Sequence, residues 1–300
     1  MQPNPTLDQL NVFAAIADAG SFSAAARRLN RSQSVISYAI ANLEAQLELK
    51  LFERSGTREP RLTEAGRALL EDARRMALAL QNLRSRVQGL KEGIEANIAV
   101  AVDVNIPTPV LASVLRTFET RFPTVGLRLH VGALGTIWDL ALKRQVDFAV
   151  GGPPVTPFDA LATVRLGQTS MLPVAAPDHP LALYPGRVPL SVMREHVQLV
   201  VTDLSEQTKG MDFGVYAYRT WRLTDVATKR ELMLAGLGWG GLPKWMVRDD
   251  MAAGRLVPLD LEPYPETAYS IFALHLVDRP LGPASGWLVD AFRSELDTFE

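Results

Sequence analysis

Ser32, Gln33, Ser34 and Ser37 stand together in the segment SFSAAARRLNRSQSVISYAIANLE, residues 21–44, with Tyr38 beside them. Serine is a mediocre former of helix interiors because its hydroxyl competes for backbone hydrogen bonds, so this cluster at a helix start needs a reason. One reason is local: Ser32 can cap the helix that follows. The other lies outside the protein. A serine hydroxyl donates or accepts at a base edge, and a glutamine amide can bind adenine bidentately, each specific contact contributing ~1–3 kcal/mol of discrimination. Gln33, Ser37 and Tyr38 are the arms best placed to reach outward. Arg31, Lys50, Arg54 and Arg58 suit phosphate or minor-groove contacts, which position a protein without reading sequence and make binding salt-dependent.

Other chemistries find little support. The 300-residue chain has no cysteine, which removes disulfides, thiolate metal sites and thiol redox sensing. Its four histidines, His130, His179, His196 and His275, are scattered without metal-ligand spacing, so neither a metal nor a cofactor is expected. The glycines of AGLGWGGLP, residues 235–243, lack the Lys-Ser/Thr pair of a phosphate-cradling loop, and no G-x-S-x-G elbow occurs. No catalytic residue is assigned. No apolar run approaches the ~18 residues of a membrane span, and MQPNPTLDQL has no basic-then-apolar pattern, so a soluble, cytoplasmic protein without membrane contact is expected.

The elements that must position the cluster follow from caps and periodicity. Thr6 with Gln9 forms a capping-box pattern, and Leu10, Phe13, Ala14 and Ala17 follow at helical spacing up to Gly20. Ser21 opens a second, alanine-rich helix, and Ser32 a third whose inward stripe reads Val35, Ile36, Ala39, Ile40, Leu43 and Leu47. Two short helices parted by about three residues have the proportions of a helix-turn-helix. ERSGTREPRLTEAG, with Gly56 and Pro60, predicts a small wing. From Thr63 a long helical pattern runs until Lys91-Glu92-Gly93 ends it. Within it Leu69, Ala73, Met76, Leu80, Leu83, Val87 and Leu90 keep a heptad spacing that favours a dimer seam over packing on the helix's own domain.

After Gly93 the texture changes to strand, helix, strand, helix, strand up to Val150-Gly151, indicating an α/β sheet with mostly parallel pairing. A second set follows: strands at Met171 to Ala176 and Val197 to Thr202, a segment around Trp221 to Thr224, a helix near Lys229 to Ala235, and Gly238 to Leu242. Tyr269 to Leu276 and a helix from about Pro283 to Leu296 complete it. Charge divides in the same way. Residues 1–91 carry thirteen Lys/Arg against nine Asp/Glu, whereas the whole chain has a net charge of -2. A basic front and an acidic remainder suggest that the front alone meets a polyanion.

With SFSAAARRLNRSQSVIS, IANLEAQLELKLFER and RLTEAG in order, then VDFAVGG, APDHPLA and AGLGWGGLP, the chain resembles the LysR-type transcriptional regulators over essentially its whole length. The resemblance implies a multidomain protein: an all-α winged helix-turn-helix over residues 1–62, a dimerisation helix over 63–92, and a two-lobed α/β effector domain over 93–300, shaped like a periplasmic binding protein. Lobe I would span about 97–166 and 269–300, and lobe II about 167–268. The expected partners are double-stranded promoter or operator DNA, a small-molecule effector, further copies forming a dimer and then a tetramer, and RNA polymerase. A stand-alone small-molecule binding protein is the alternative.

Within that family, Arg54 matches a Leu-Phe-x-Arg motif, and proline often stands at the position of Ser34. Family position places Asp103, Asn105, Thr136, Thr202, Asp203, Trp221 and Thr224 at the effector cleft. Ser or Thr is frequent where Asp103 stands, and a carboxylate there would repel an organic acid unless paired. That expectation favours a cationic, amide or neutral aromatic effector. Trp221 could supply an aromatic wall, whereas Trp239 and Trp245 are expected in the core.

Overall fold

In the computed structural model, which describes residues 4–53, 60–154, 159–203 and 205–299, Thr6 opens the first helix reciprocally. Its hydroxyl accepts from the Gln9 amide at 3.2 Å while the Gln9 side chain accepts from the Thr6 amide at 2.7 Å. The helix α1 (Leu7–Ala19) ends at Gly20, whose φ of 70° a side chain would disfavour. Ser21 caps α2 (Phe22–Arg28) and Ser32 caps α3 (Gln33–Leu47), each through its hydroxyl. The small Ala25 and Ala26 let α2 approach its neighbours, and Phe13, Ile16, Ile36, Ile40, Leu43, Leu51 and Phe52 close the core around them.

Phe52 and Leu62 then pair as an antiparallel bridge, with the Glu53 amide donating to the Arg61 carbonyl at 2.8 Å. These are the arms of the expected wing; its tip, residues 54–59 with Arg54 and Arg58, lies outside the described residues. Thr63 accepts from the Gly66 amide at 3.0 Å to start α4 (Glu64–Lys91). Leu70 and Ala73 enter the core, Leu69 packs at its edge, and Arg74 holds Asp18 at 2.6 Å. Beyond that turn Met76, Leu83, Val87 and Leu90 are exposed and Leu80 is half-buried. The heptad therefore serves two purposes: its first positions belong to this unit's core, and its later ones have no cover within it.

The remainder, Glu92–Glu300, forms a second compact unit that follows Met1–Lys91 in the chain. In chain order it contains β1 (Asn97–Asp103), α5 (Thr108–Arg121), β2 (Gly126–Gly132), α6 (Gly135–Leu142), β3 (Phe148–Gly151), β4 (Leu161–Ala175), α7 (Leu190–Met193), β5 (Gln198–Val201), β6 (Thr220–Leu223), α8 (Val226–Leu234), β7 (Gly240–Pro243), α9 (Lys244–Ala252), β8 (Val257–Pro258), β9 (Thr267–Leu276) and α10 (Pro283–Asp297). Alternation on β1 sends Ile98, Val100 and Val102 towards α5 and α10, and Ala101 towards Ile137, Trp138 and Ala141 of α6. Gly282 offers α10 no side-chain cap; Glu95 supplies one, accepting from the Ala284 and Ser285 amides at 2.9 and 3.0 Å.

The main sheet runs β2-β1-β3-β9-β4-β7, with β8 also on β4. It is mixed rather than mostly parallel: β1 pairs β2 and β3 in parallel, but β9 is antiparallel to both β3 and β4. The cause is the chain's route. β4 carries it from the lobe of β1–β3 to the lobe of β5–β8, and β9 brings it back alongside, paired from Leu161↔Leu276 to Met171↔Thr267. β4 therefore begins ten residues before the strand expected at Met171. The helix α9, which the apolar pattern does not announce, starts directly after Pro243, its N-cap residue, where a missing N–H breaks no helix hydrogen bond. In the second lobe Leu199, Val226, Met233, Leu242 and Val247 form one core cluster and Trp239, Met193 and Leu261 another.

Candidate functional site

On α3, Ile36, Ile40 and Leu43 face inward, and at 100° per residue Ser34, Ser37 and Tyr38 are turned away from that line, whereas Gln33 shares the heading of Ile40 and is exposed at the first residue of the helix. All four are exposed, Tyr38 by 70%. Val35, read as part of the inward stripe, is 47% exposed: at 100° per residue it stands about 80–140° round the helix from Ile36, Ile40 and Leu43. Its apolar surface joins the outward face. Ser32 is occupied as a cap through the Val35 amide and shares a hydrogen bond of 2.9 Å with Ser34.

The flanking cations are already engaged. Arg31 donates two hydrogen bonds to Asp8, at 2.7 and 2.8 Å, and this guanidinium holds the Asp8 carboxyl below its usual range. Lys50 donates to Glu44 at 2.7 Å. Burial alone would raise the Glu44 carboxyl, but Lys50 and the amides of Leu51 and Phe52 outweigh it and keep Glu44 ionised well into acid. Glu44 thereby fastens the first strand of the wing to α3.

In the second unit a cavity of about 350 Å³ opens between the lobes. Asn105, Ala133 and Leu134 line it from the first lobe, Tyr269 from the returning strand, and Gln198, Tyr216, Lys229 and Tyr264 from the second lobe. Of the seven cleft residues expected from sequence, only Asn105 lies on this wall. Asp103 is buried behind it: the Tyr269 hydroxyl donates to its carboxylate at 3.1 Å and the Asn105 amide at 2.8 Å. Burial lifts the Asp103 carboxyl to about 6 against those hydrogen bonds, and burial followed by the nearby Asp103 charge pushes the Tyr269 hydroxyl far up. Asp103 thus orients Tyr269 and presents no carboxylate to the cavity.

Thr136 and Asp203 find each other instead. The Thr136 amide, in the first turn of α6, donates to Asp203 at 3.0 Å, and the Thr208 hydroxyl donates to the other carboxylate oxygen. A carboxylate at a helix start is favourable, and here it comes from the opposite lobe. Gly135 permits the approach, since a Cβ there would lie 2.8 Å from the Ser205 hydroxyl. A second tie runs from the Trp245 indole N–H to the Asn105 carbonyl at 3.1 Å, so Trp245 bridges lobes, whereas Trp239 is wholly buried as expected. Thr202 and Asp203 edge a separate shallow hollow. Trp221 and Thr224 are exposed and off the cavity wall, because β6 is the outer strand of its pair. Tyrosines supply the aromatic wall that Trp221 does not.

Lys229, Tyr216, Tyr264 and Gln198 went unseen in the sequence reading. For Lys229 a signal existed. Val226, Lys229 and Met233 recur at i, i+3 and i+7 on α8, so a lysine stands in an apolar stripe.

The family model for the LysR substrate binding domain matches residues 91–297, and that for the bacterial regulatory helix-turn-helix protein, lysR family, matches residues 7–67. The chain belongs to the LysR family of transcriptional regulators. The HTH-type transcriptional regulator PunR of Escherichia coli is 30% identical to this LysR-family chain over 284 residues, covering 94% of this chain and 90% of that protein. AceR of Acinetobacter baumannii is 27% identical over 303 residues, covering 97% and 98%. Among solved structures, OxyR of Corynebacterium glutamicum in an H2O2-bound form superposes with a TM-score of 0.54 at 23% identity, covering 98% of this chain and 96% of that one. Full-length LysG of the same organism with bound effector Arg gives 0.52 at 22%, covering 97% and 98%. These two share the LysR-family fold. Among the described residues no helix is long and apolar enough to cross a membrane.

Proposed function

We propose that this LysR-family regulator reads operator DNA with the outward face of α3, and that a small molecule in the inter-lobe cavity modulates that binding. The observation that carries the first part is the partition of α3: Gln33, Ser37 and Tyr38 are exposed while Ile36, Ile40 and Leu43 are buried. An α-helix presenting short polar arms from its N-terminal turns has the geometry of major-groove readout. Arg54 and Arg58 remain the candidates for phosphate contact; Arg31 and Lys50 would first have to leave Asp8 and Glu44. We assign the winged helix-turn-helix, the linker helix and the two lobes the spans 1–62, 63–92, about 97–166 with 269–300, and about 167–268. No catalytic role is assigned to any residue, and the cytoplasm is the compartment where DNA is met.

The exposed part of α4 supports self-association. Met76, Leu80, Leu83, Val87 and Leu90 make a stripe at 3.5-residue spacing, the pattern by which two copies of a helix bury each other. Dimers joined this way, and tetramers built from them, would present paired α3 helices to paired half-sites, with RNA polymerase meeting the bound assembly. Replacing Leu83 and Val87 together by Glu is expected to halve the mass of the smallest stable species in light scattering. It should weaken operator binding on the order of 10²-fold, since two linked half-site contacts become independent. Unit 1 should still fold, as both side chains are exposed and away from its core.

Mobility shift with DNA from upstream of the protein's own gene tests the reading. Retardation at low salt that fades as salt rises is expected. Folded protein that retards no such fragment at low salt would overturn it and leave a small-molecule binding protein.

A further inference from the structure

The inter-lobe cavity is lined by one charged side chain, and among the described residues none of opposite charge pairs with it. Lys229 is 5% exposed, and its ammonium donates to the Gly241 carbonyl at 2.6 Å. That carbonyl uses one of three N–H donors and carries no formal charge. Among the described residues no Asp or Glu forms an ion pair with Lys229, and the cavity wall has no Asp, Glu, Arg or His. The adjacent Arg230 turns away to Asp250 at 2.6 Å, and Asp103 is screened behind the Tyr269 hydroxyl. Tyr264, whose hydroxyl burial and then neighbouring Tyr216 push up to about 12, stays neutral. The Gln198 side chain is uncharged and already donates to the Gly214 carbonyl and accepts from the Tyr216 and Ala217 amides.

An isolated charge in an apolar wall costs several kcal/mol unless a partner compensates it. Where the wall surrounds a cavity and no partner stands among the described residues, an anionic ligand entering the cavity is placed to supply it. We propose that Lys229 is the charge-recognition group of the cavity and that the effector is a small organic anion, a carboxylate on a flat aromatic or apolar body. The body is set by the rest of the wall: Tyr216, Tyr264 and Tyr269 offer ring faces and edges, with Leu134 and Val226 between them. A volume of about 350 Å³ lies at the small end of ligand pockets. This deepens the reading of the cavity as the effector site and rests on it. It also reverses the sequence expectation of a cationic or neutral ligand, because the carboxylate that motivated that expectation is not on the wall.

The ammonium of the empty cavity is depressed by burial to about 7, so at pH 8 it is mostly neutral. An anion seated against it must draw a proton in. Calorimetric titration of the full chain at pH 8 in HEPES and in Tris, with benzoate and its neutral isostere benzamide, reads this directly. Benzoate should bind on the order of tenfold or more tightly than benzamide, with uptake of close to one proton. Lys229→Met should lose both the preference and the proton uptake while still retarding DNA. Benzamide binding as tightly as benzoate would overturn the assignment. So would a benzoate preference surviving in Lys229→Met, or no saturable benzoate binding below about 10 mM. Failure of the regulator reading looks different: the benzoate preference would persist in a protein that retards no DNA, or whose DNA affinity benzoate leaves unchanged.

Discussion

Lys229→Met is expected to stabilise the substrate-binding unit by about 2–3 kcal/mol at pH 6 to 7, an unusual direction for a substitution at a buried site. The lysine titrates near 7 in the folded chain against an ordinary value of 10.5. The unfolded chain therefore binds more protons between those values, and stability rises with pH across that window. Below it the full penalty is present, about 4–5 kcal/mol from the shift. Met fits the stripe of Val226 and Met233 without that penalty, but it leaves the Gly241 carbonyl unpaired, which costs about 1–3 kcal/mol. Chemical denaturation at pH 7 and pH 10 checks the sign: the gap between variant and parent should shrink at the higher pH. A destabilised variant at pH 7 would mean that the ammonium is well compensated.

Asp250→Ala is expected to lower the stability of the same unit by about 3 kcal/mol. Asp250 is wholly buried and takes three charge-assisted hydrogen bonds, one from Arg230 (Nε 2.7 Å) and two from Arg255 (Nε 2.9 Å, Nη2 2.6 Å), with Arg230 Nη2 also in ion-pair contact at 2.6 Å. The arginines reach the surface and can rehydrate, which holds the loss below the upper end for a broken buried pair. The position also matters for the cavity. Arg230 follows Lys229 on α8, so Asp250 fixes the rotation that turns Lys229 inward. Urea unfolding reads the stability, and a benzoate preference reduced along with it would show that the pairing aims the lysine.

Local chemistry made the helix-turn-helix unit readable from sequence. Thr6 with Gln9, Ser21, Ser32 and Gly20 act as the caps their types suggest, because a cap depends on neighbours within four residues. Val35 fell outside the inward stripe, since at 100° per residue it is turned well away from Ile36, Ile40 and Leu43. The long strand β4 escaped such local reading. Its first ten residues, LATVRLGQTS, alternate instead of running apolar, and only pairing with β9 a hundred residues later makes them a strand. The cavity was the hardest part. Family position pointed to strand ends and helix starts, and Thr136 and Asp203 are there, but they satisfy each other across the lobes. The groups that line the space come from α8, β9 and the segment around Tyr264, so no short stretch of sequence could bring them together.

Selection of binding sites from a random-sequence DNA pool, run in parallel for the parent and for Gln33→Ala, tests most directly whether the outward face of α3 reads bases. The parent should enrich a paired half-site motif, and Gln33→Ala should relax preference at one or two positions of each half-site while leaving the salt dependence of binding unchanged. An identical motif from both proteins, with equal information at every position, would contradict base readout by this helix face.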